Sequence, residues 1–403
     1  MWLQIPLRSL WRNRRRTILS MAIIALGTAV SLFVLGFVEN SRSQIRDSVV
    51  QEYGNLQIAS PTLWNDTAEG YEYLLEPQDV TEIDAILAGE ERYVGRTAQL
   101  QFPGLLAAGN LTQVVRITGL EPANGILDTA DLVSRGRDLA PNDAAAVLIG
   151  RTLAEQLGLE VGDPVTLTLT TVNGAYNATP LIVAGIYSFS SEQVERQSVY
   201  IPLRFAQILL GTAGVDRVIV ALDELQATDA AAARIGFLAQ DSGLDVEPRT
   251  WDELSPIYRQ LSSYFNLLFG FLSLAVTVLV FFIILQVLTL AFLERTREIG
   301  TLRALGTTQG EVFRLFFIET AWLALLGSVA GVLFGLLLSV GFNAARIEWL
   351  PPGTVDRVFL KVAIRTSVIG LPFLIGVVAT LLSALYPSIQ TSRIRVVDAL
   401  RVT

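Results

Sequence analysis

The stretch LSSYFNLLFGFLSLAVTVLVFFIILQVLTLAFL, residues 261–293, decides the fold, because it contains 33 residues without a single charge. A bilayer core of about 30 Å is crossed by about 20 helical residues, so the stretch predicts a transmembrane helix. As one helix it would be about 50 Å long. The excess length is equally compatible with a stalk that continues outside the membrane and with a tilted helix that ends at the interface.

Three further apolar segments predict membrane spans. They cover residues 18–38, 315–345 and 366–392, and each contains an uncharged run of at least 21 residues. The first follows five arginines, which is also typical of a secretory signal peptide. Its apolar run is longer than the usual stretch of about 7–15 residues, and no A-x-A cleavage site follows closely, so we interpret it as a span. The sequence therefore predicts an α-helical integral membrane protein with four transmembrane helices.

The distribution of arginine predicts which segments face the cytoplasm. Residues 1–17, 294–319 and 393–403 together hold 12 Arg and five acidic residues, whereas the short loop 346–365 holds four basic residues. Positive charge accumulates in cytoplasmic loops. We therefore expect both termini and the segment 294–314 to be cytoplasmic, and the loop 346–365 to be external.

Residues 39–260 are predicted to form a large mixed α/β extracytoplasmic domain with helical stalks, inserted between transmembrane helices 1 and 2. Strand-like runs rich in Val, Thr, Ile and Leu include 114–118, 165–171, 180–186, 198–201 and 217–222, and helix-like stretches include 77–88, 150–157 and 227–240. The domain holds 14 Arg and 31 acidic residues, a net charge of −17. This acidic balance argues against nucleic acid and anionic lipid headgroups as ligands.

The residue types that the chain lacks exclude several classes of chemistry. The 403 residues include no Cys and no His, and Lys361 is the single lysine. Thiolate nucleophiles, imidazole bases, zinc fingers and disulfides are thereby excluded. A phosphate-binding loop GxxxxGK[ST] needs a lysine after glycine, but Lys361 follows Leu360. We predict no catalytic residue, no metal site and no ATPase motif, so the chain is not expected to be an enzyme.

The cytoplasmic segment 294–314 begins with the motif ERTREIGTLRALG. In it, Ile299, Leu302 and Leu305 recur at three-residue spacing beside arginines, which predicts a short amphipathic helix. From the pattern alone, this helix is also typical of an interfacial element whose arginines extend to the lipid headgroups.

This motif resembles the coupling loop of the MacB/FtsX-like ABC transporter permease family, whose pattern is approximately ERxREIGxxRALGA. The matching residues are Glu294, Arg295, Arg297, Glu298, Ile299, Gly300, Arg303, Ala304, Leu305 and Gly306. Thr307 stands in place of the usual Ala. The ending YPSIQTSRIRVVDALR also resembles the family's, with Val396 where proline is usual. The external stretch GRDLAPNDAAAVLIGRTLAEQLGLEVGDPVTL, residues 136–167, is most similar to the lipoprotein-release permeases of the LolC/LolE type.

The resemblance implies a permease subunit in the bacterial cytoplasmic (inner) membrane, with its large domain in the periplasm. The ten motif residues would form the coupling helix that docks on a separate P-loop ABC ATPase, present in two copies. ATP and Mg would be bound by that partner, and this chain would need no cofactor. The other implied partners are a second permease (homodimer or paralogue), a lipoprotein or amphiphilic cargo, and a periplasmic acceptor protein, but no nucleic acid.

The third span carries a stripe of small residues at four-residue spacing: Gly327, Gly331, Gly335 and Ser339. Helix association in lipid depends on van der Waals contact, and small residues let two helix backbones approach closely. We expect the stripe to be a helix-packing site within the chain, although a contact with another subunit would use the same pattern.

Two functional hypotheses from different classes follow. In the first, the permease transmits ATP-driven motion to its external domain and extracts or exports an amphiphilic cargo. In the second, the same motion regulates an envelope protein and no cargo moves. A third class, an intramembrane enzyme, is disfavoured because no His and no Asp within a span could form a catalytic dyad.

Overall fold

The computed structural model describes residues 14–65, 70–121, 132–189, 192–294, 300–301, 303–350 and 357–392. The chain divides into two compact units. We call them the helical unit (Met1–Gln44, Leu261–Glu348 and Phe359–Thr403) and the α/β unit (Ile45–Gln260 and Trp349–Val358). The predicted coupling residues Arg295, Arg297, Glu298 and Ile299 lie outside the described residues.

Helices dominate both ends of the described part of the chain. In chain order they are α1 (Arg14–Tyr53), α2 (Pro61–Trp64), α3 (Pro77–Leu87), α4 (Arg151–Leu157), α5 (Glu192–Gln197), α6 (Leu203–Leu210), α7 (Thr228–Asp241), α8 (Trp251–Leu254), α9 (Pro256–Glu294), α10 (Gln309–Ala344) and α11 (Thr366–Ser392). Four of them, α1, α9, α10 and α11, are long and apolar enough to cross a membrane. With 40 and 39 residues, α1 and α9 are each about 60 Å long, twice the thickness of a bilayer core.

The α/β unit is built on one sheet of ten strands. They are β1 (Leu56–Ala59), β2 (Tyr93–Ala108), β3 (Leu111–Leu120), β4 (Val133–Gly136), β5 (Ala146–Gly150), β6 (Pro164–Thr170), β7 (Tyr176–Tyr187), β8 (Ser198–Pro202), β9 (Arg217–Leu222) and β10 (Glu247–Thr250). The strand order is β10-β1-β9-β2-β3-β8-β5-β7-β4, and β6 pairs with both β2 and β7. Two pairs are parallel, β3 with β8 and β5 with β7. A two-stranded sheet, β11 (Glu348–Trp349) and β12 (Val358–Phe359), follows α10.

The strand β6 alternates between buried and more exposed residues. In β6, Val165, Leu167 and Leu169 are buried, whereas the threonines between them face outward or are half-buried. Successive side chains of a strand point to opposite faces, so this pattern puts one face of β6 into the core. Leu153 of α4 and Leu209 of α6 pack into the same cluster.

Within the helical unit, α1 contacts each of the other three long helices. A Cβ added at Gly27 would lie 2.7 Å from Cγ1 of Val280 in α9, so the two helices touch at this glycine. A Cβ added at Gly376 of α11 would lie 2.5 Å from Oγ1 of Thr28. The contact with α10 is formed by the small-residue stripe described below.

Candidate functional site

The predicted coupling loop lies between α9 and α10. Glu294 is exposed at the end of α9, and Gly300, Arg303 and Ala304 are helical. Leu305 is 84% exposed in the turn that follows. Gly306 has φ +99°, a conformation that glycine adopts without steric cost. A leucine left this open at a turn is an unpartnered apolar contact point.

The start of α10 is fixed immediately after this turn by a capping box. Thr308 Oγ1 accepts a hydrogen bond from the Glu311 amide at 3.3 Å, and Glu311 Oε2 accepts one from the Thr308 amide at 2.8 Å. The two bonds satisfy backbone donors that the first turn of a helix otherwise leaves unpaired. The capping box therefore fixes where α10 starts, shortly after the turn that contains Leu305.

The small-residue stripe of α10 lies against α1. A Cβ added at Gly331 would lie 2.6 Å from the Ala25 carbonyl oxygen, and one at Gly335 would lie 3.1 Å from Cα of Ala29. At Gly327 the nearest atom would be the Cβ of Ile24, at 2.9 Å. Because these neighbours include backbone atoms, the two helices could not pack this closely around larger side chains.

Ser339, the last residue of the stripe, is fully buried. Its hydroxyl donates to the Gly335 carbonyl oxygen at 2.8 Å. The bond stays within α10, so the hydroxyl is satisfied without a partner on another helix. The residue acts as a small packing element.

The second long helix, α9, is the least covered of the four. Only 6% of the residues in its most apolar stretch are buried, against 33–39% in α1, α10 and α11. Together with α11 it lines an open apolar groove, formed by Thr277, Val278, Phe281, Phe282, Leu374, Ile375, Val378, Ala379 and Leu382. Most of the surface of α9 is therefore free to contact lipid or another protein.

In the α/β unit, a fully buried carboxylate was not singled out by the sequence. Glu195 of α5 is 0% exposed, and its Oε1 accepts from the Phe189 amide at 2.7 Å and the Ser188 hydroxyl at 3.0 Å. Its Oε2 accepts from the Thr152 hydroxyl at 2.8 Å and the Thr152 amide at 3.3 Å. The Arg151 guanidinium lies 3.6 Å away. Glu195 thus ties α5 to the first turn of α4 and to the end of β7.

A buried tyrosine lies beside this carboxylate. Tyr187 is fully buried, and its hydroxyl donates to the Ser198 carbonyl oxygen at 2.9 Å. Burial, together with the nearby Tyr200 and Glu195, raises the pKa of Tyr187 well above its ordinary value. The phenol therefore stays protonated and keeps its role as a donor.

Among the described residues, no group of three or more acidic side chains could hold a metal ion. The buried polar contacts of the α/β unit described above join one element to the next. Neither they nor the described residues of the coupling loop assemble a nucleophile, a base and a proton donor around a cavity.

Comparison with known proteins agrees with this architecture. Residues 17–236 match the model of the MacB-like periplasmic core domain, and residues 270–396 match that of the FtsX-like permease C-terminal region. The LolC transmembrane protein of the lipoprotein-releasing system of Xylella fastidiosa (strain 9a5c) is 24% identical over 98% of this chain and 96% of its own length. The macrolide export ATP-binding/permease protein MacB 2 of Aeromonas hydrophila is 24% identical over 84% of this chain.

The chain spans only about half, 53%, of that second relative. Among solved structures, the periplasmic region of MacB from Actinobacillus actinomycetemcomitans covers 52% of this chain and 95% of its own, with 16% identity and a TM-score of 0.39. The four apolar helices and the match to a periplasmic core domain fit an inner-membrane protein with an external domain. Since the periplasmic core model alone matches more than half of the sequence, the chain belongs to the MacB/FtsX-like permease family, with relatives of the LolC type.

Proposed function

We propose that this chain is the membrane subunit of an ABC transporter that receives ATP-driven motion from a separate ATPase and passes it to its external domain. The cargo is a lipoprotein or another amphiphile that is extracted from the membrane or exported. The observation that carries the proposal is the 84% exposed Leu305 in the family motif, at a turn between two long apolar helices.

The orientation proposed for the chain follows its charge. Both termini and the coupling loop are cytoplasmic, because the segments at these positions hold 12 of the arginines. The α/β unit is external, where its net charge of −17 in residues 39–260 keeps it away from anionic headgroups. ATP and Mg are bound by the partner ATPase in two copies.

The coupling loop is suited to transmit motion because it is a short connection between two long helices, and the start of the second is capped by Thr308 and Glu311. Closure of the ATPase dimer moves the loop, and the loop is continuous with α9 at Glu294 and with α10 through the Thr308 cap. A leucine side chain contributes about 1.5–3 kcal/mol to the free energy of binding when it is buried in a partner's pocket. We therefore propose Leu305 as the apolar anchor of the docking site, with the arginines of the motif as further docking residues.

Aspartate in place of Leu305 is expected to reduce the recovery of the ATPase with the tagged permease by at least about tenfold, because each 1.4 kcal/mol of lost contact weakens binding tenfold. The measurement is the amount of P-loop ATPase recovered from native membranes in mild detergent. The matched control is Leu111→Asp, which changes a leucine that is 52% exposed in the α/β unit. Equal recovery with Leu305→Asp and with Leu111→Asp would show that this loop is not the docking site.

A second permease, either a copy of this chain or a paralogue, is proposed to pack on α9. The support is the low burial of this helix and the apolar groove beside it. Since the chain has no native cysteine, Leu279→Cys, at an exposed position of α9, can carry a benzophenone photo-crosslinker without background labelling. We expect a permease–permease adduct from this position and none from Leu337→Cys, an equally open position of α10. Similar adduct yields from both positions would contradict this assignment.

The alternative function is regulatory: the external domain activates an envelope protein and no cargo moves. The acidic external domain is compatible with such a protein partner. Proteoliposomes that contain the co-purified complex and a fluorescent lipoprotein distinguish the two functions. ATP-dependent release of the lipoprotein to a periplasmic acceptor protein supports the transporter, whereas ATP hydrolysis without release supports the regulator.

A further inference from the structure

Asn55 lies where the chain passes from the first long helix into the sheet. α1 ends at Tyr53, Gly54 turns the chain with φ +73°, and β1 begins at Leu56. The Gly54 amide donates to the Val50 carbonyl oxygen at 2.8 Å and closes the helix. A Cβ at Gly54 would lie 2.3 Å from Cγ2 of Ile219, so the turn requires glycine for its packing as well as for its conformation.

Asn55 binds β9 through both its backbone and its side chain. Its amide donates to the Val220 carbonyl oxygen at 3.1 Å, and its Oδ1 accepts from the Leu222 amide at 3.0 Å. The residue is only 7% exposed. Loss of the side chain would therefore leave the buried Leu222 amide without a partner, which is costly.

The same residue also binds the segment that leads to α9. Its carbonyl oxygen accepts from the Trp251 amide at 3.1 Å, where α8 begins. Leu56 and Thr250 are opposite each other in the antiparallel pair of β1 and β10. The chain that follows α1 and the chain that precedes α9 are thus neighbours at one edge of the sheet.

The connection from Trp251 to α9 is short and well held. The Trp251 and Tyr258 rings are 4.8 Å apart at 64°, an edge-on contact between α8 and the first turn of α9. The Ser255 hydroxyl accepts from the Tyr258 amide at 3.3 Å. A displacement of this turn of α9 would therefore also displace Trp251, whose amide is bonded to the Asn55 carbonyl oxygen.

We propose that Asn55 is a positioning residue that fixes the adjoining ends of α1 and α9 to the sheet as one piece. Asn55 takes part in three hydrogen bonds to two elements, and the bond to the Leu222 amide depends on its side chain. Its role is to keep the junction rigid, so that the two helix ends and the strands bound to them move together. The functional consequence rests on the proposed transport function, whereas the junction itself can be tested without it.

The first test measures the junction directly in the full-length protein. Because the chain has no cysteine, spin labels on Gln51→Cys and Gln260→Cys, both exposed, report one distance between the two helix ends. In lipid nanodiscs we expect a single narrow distance distribution. Asn55→Ala is expected to broaden this distance distribution. Asn55→Asp retains an oxygen that accepts from the Leu222 amide, so its distance distribution should stay narrow.

The matched control is Asn177→Ala. It removes another asparagine side chain–backbone bond of the same sheet, from Asn177 Nδ2 to the Leu209 carbonyl oxygen at 3.0 Å. This variant should keep the narrow distribution. If Asn55→Ala does not fold, Asn55→Ser takes its place, because its shorter side chain does not span the gap to the Leu222 amide. A narrow distribution in the Ala variant, or in the Ser variant that replaces it, would overturn the inference.

The second test measures the consequence for coupling. The probe is a fluorescent triacylated lipopeptide in proteoliposomes that contain the co-purified complex. The measured ratio is the number of lipopeptides released per ATP hydrolysed. Asn55→Ala is expected to lower this ratio about tenfold, within the usual range of coupling between sites, while ATPase activity persists. A broadened distance with an unchanged ratio overturns the coupling role. Absence of release by the unaltered protein counts against the proposed transport function and leaves the junction result standing.

Discussion

Replacement of Gly331 by leucine is expected to prevent α1 and α10 from packing as they do in the structure. A Cβ at this position would lie 2.6 Å from the Ala25 carbonyl oxygen and 2.6 Å from Cβ of Thr28. The first of these is a backbone atom, so a change of side-chain rotamer cannot relieve the contact. Overpacking of a well-packed interior costs about 1–3 kcal/mol for added methylenes, and we expect Gly331→Ala to fall in this range.

Leucine adds three more carbons at the same place, so Gly331→Leu should exceed the cost of alanine and reduce the amount of folded protein in the membrane. The measurement is the free energy of unfolding in detergent titration, together with the yield after purification. The matched control is Gly341 of the same helix, where no atom of the described residues, apart from the adjoining backbone of α10 itself, lies within 4 Å of an added Cβ. Gly341→Leu should be tolerated. If both variants were equally stable, this would contradict the close packing of α1 against α10 at Gly331.

The spacing of the stripe on α10 predicted a close helix contact, but the sequence left its partner open. The structure places Ala25, Thr28 and Ala29 of α1 opposite it. These residues are themselves small, and Thr28 and Ala29 follow Ala25 by three and four positions, so they share one face of a helix with it. The corresponding signal was present in the first span, but two complementary stripes can be matched only when the helices are seen together.

The strands with strong β-branched character were predictable from the sequence. The runs at 165–171, 198–201 and 217–222 correspond to β6, β8 and β9. The longest strand, β2, was not predicted, because its sequence YVGRTAQLQFPGLLAA contains glycine and proline, which disfavour strands. Its conformation is determined by pairing with β3, β6 and β9, that is, by contacts distant in sequence.

The buried polar contacts could not be predicted for a related reason. Asn55 and its partner Leu222 are 167 positions apart, and Glu195 and Thr152 are 43 positions apart. Nothing in the local pattern separates Glu195 from the 30 other acidic residues of the segment 39–260. Only the tertiary fold shows that this carboxylate is enclosed.

Removal of the Glu195 carboxylate by alanine is expected to destabilise the α/β unit by at least about 1–3 kcal/mol, the usual cost of leaving a buried donor without its acceptor. Four donor groups would lose their acceptor, among them the amides of Phe189 and Thr152. Burial prevents water from replacing the carboxylate in the intact fold. Hydrogen exchange of the full-length protein, followed by mass spectrometry, should show faster exchange in the peptides that contain these two amides.

Glu192 of the same helix provides the matched control. It is half-exposed and pairs with Arg196 one turn further on, a type of contact worth about 0.3–0.5 kcal/mol. Glu192→Ala should therefore leave exchange at Phe189 and Thr152 unchanged. Glu195→Gln retains one carbonyl oxygen as acceptor, so its effect should lie between those of Glu192→Ala and Glu195→Ala. If Glu195→Ala exchanged as slowly as Glu192→Ala, the buried carboxylate would not be what joins α5 to α4 and β7.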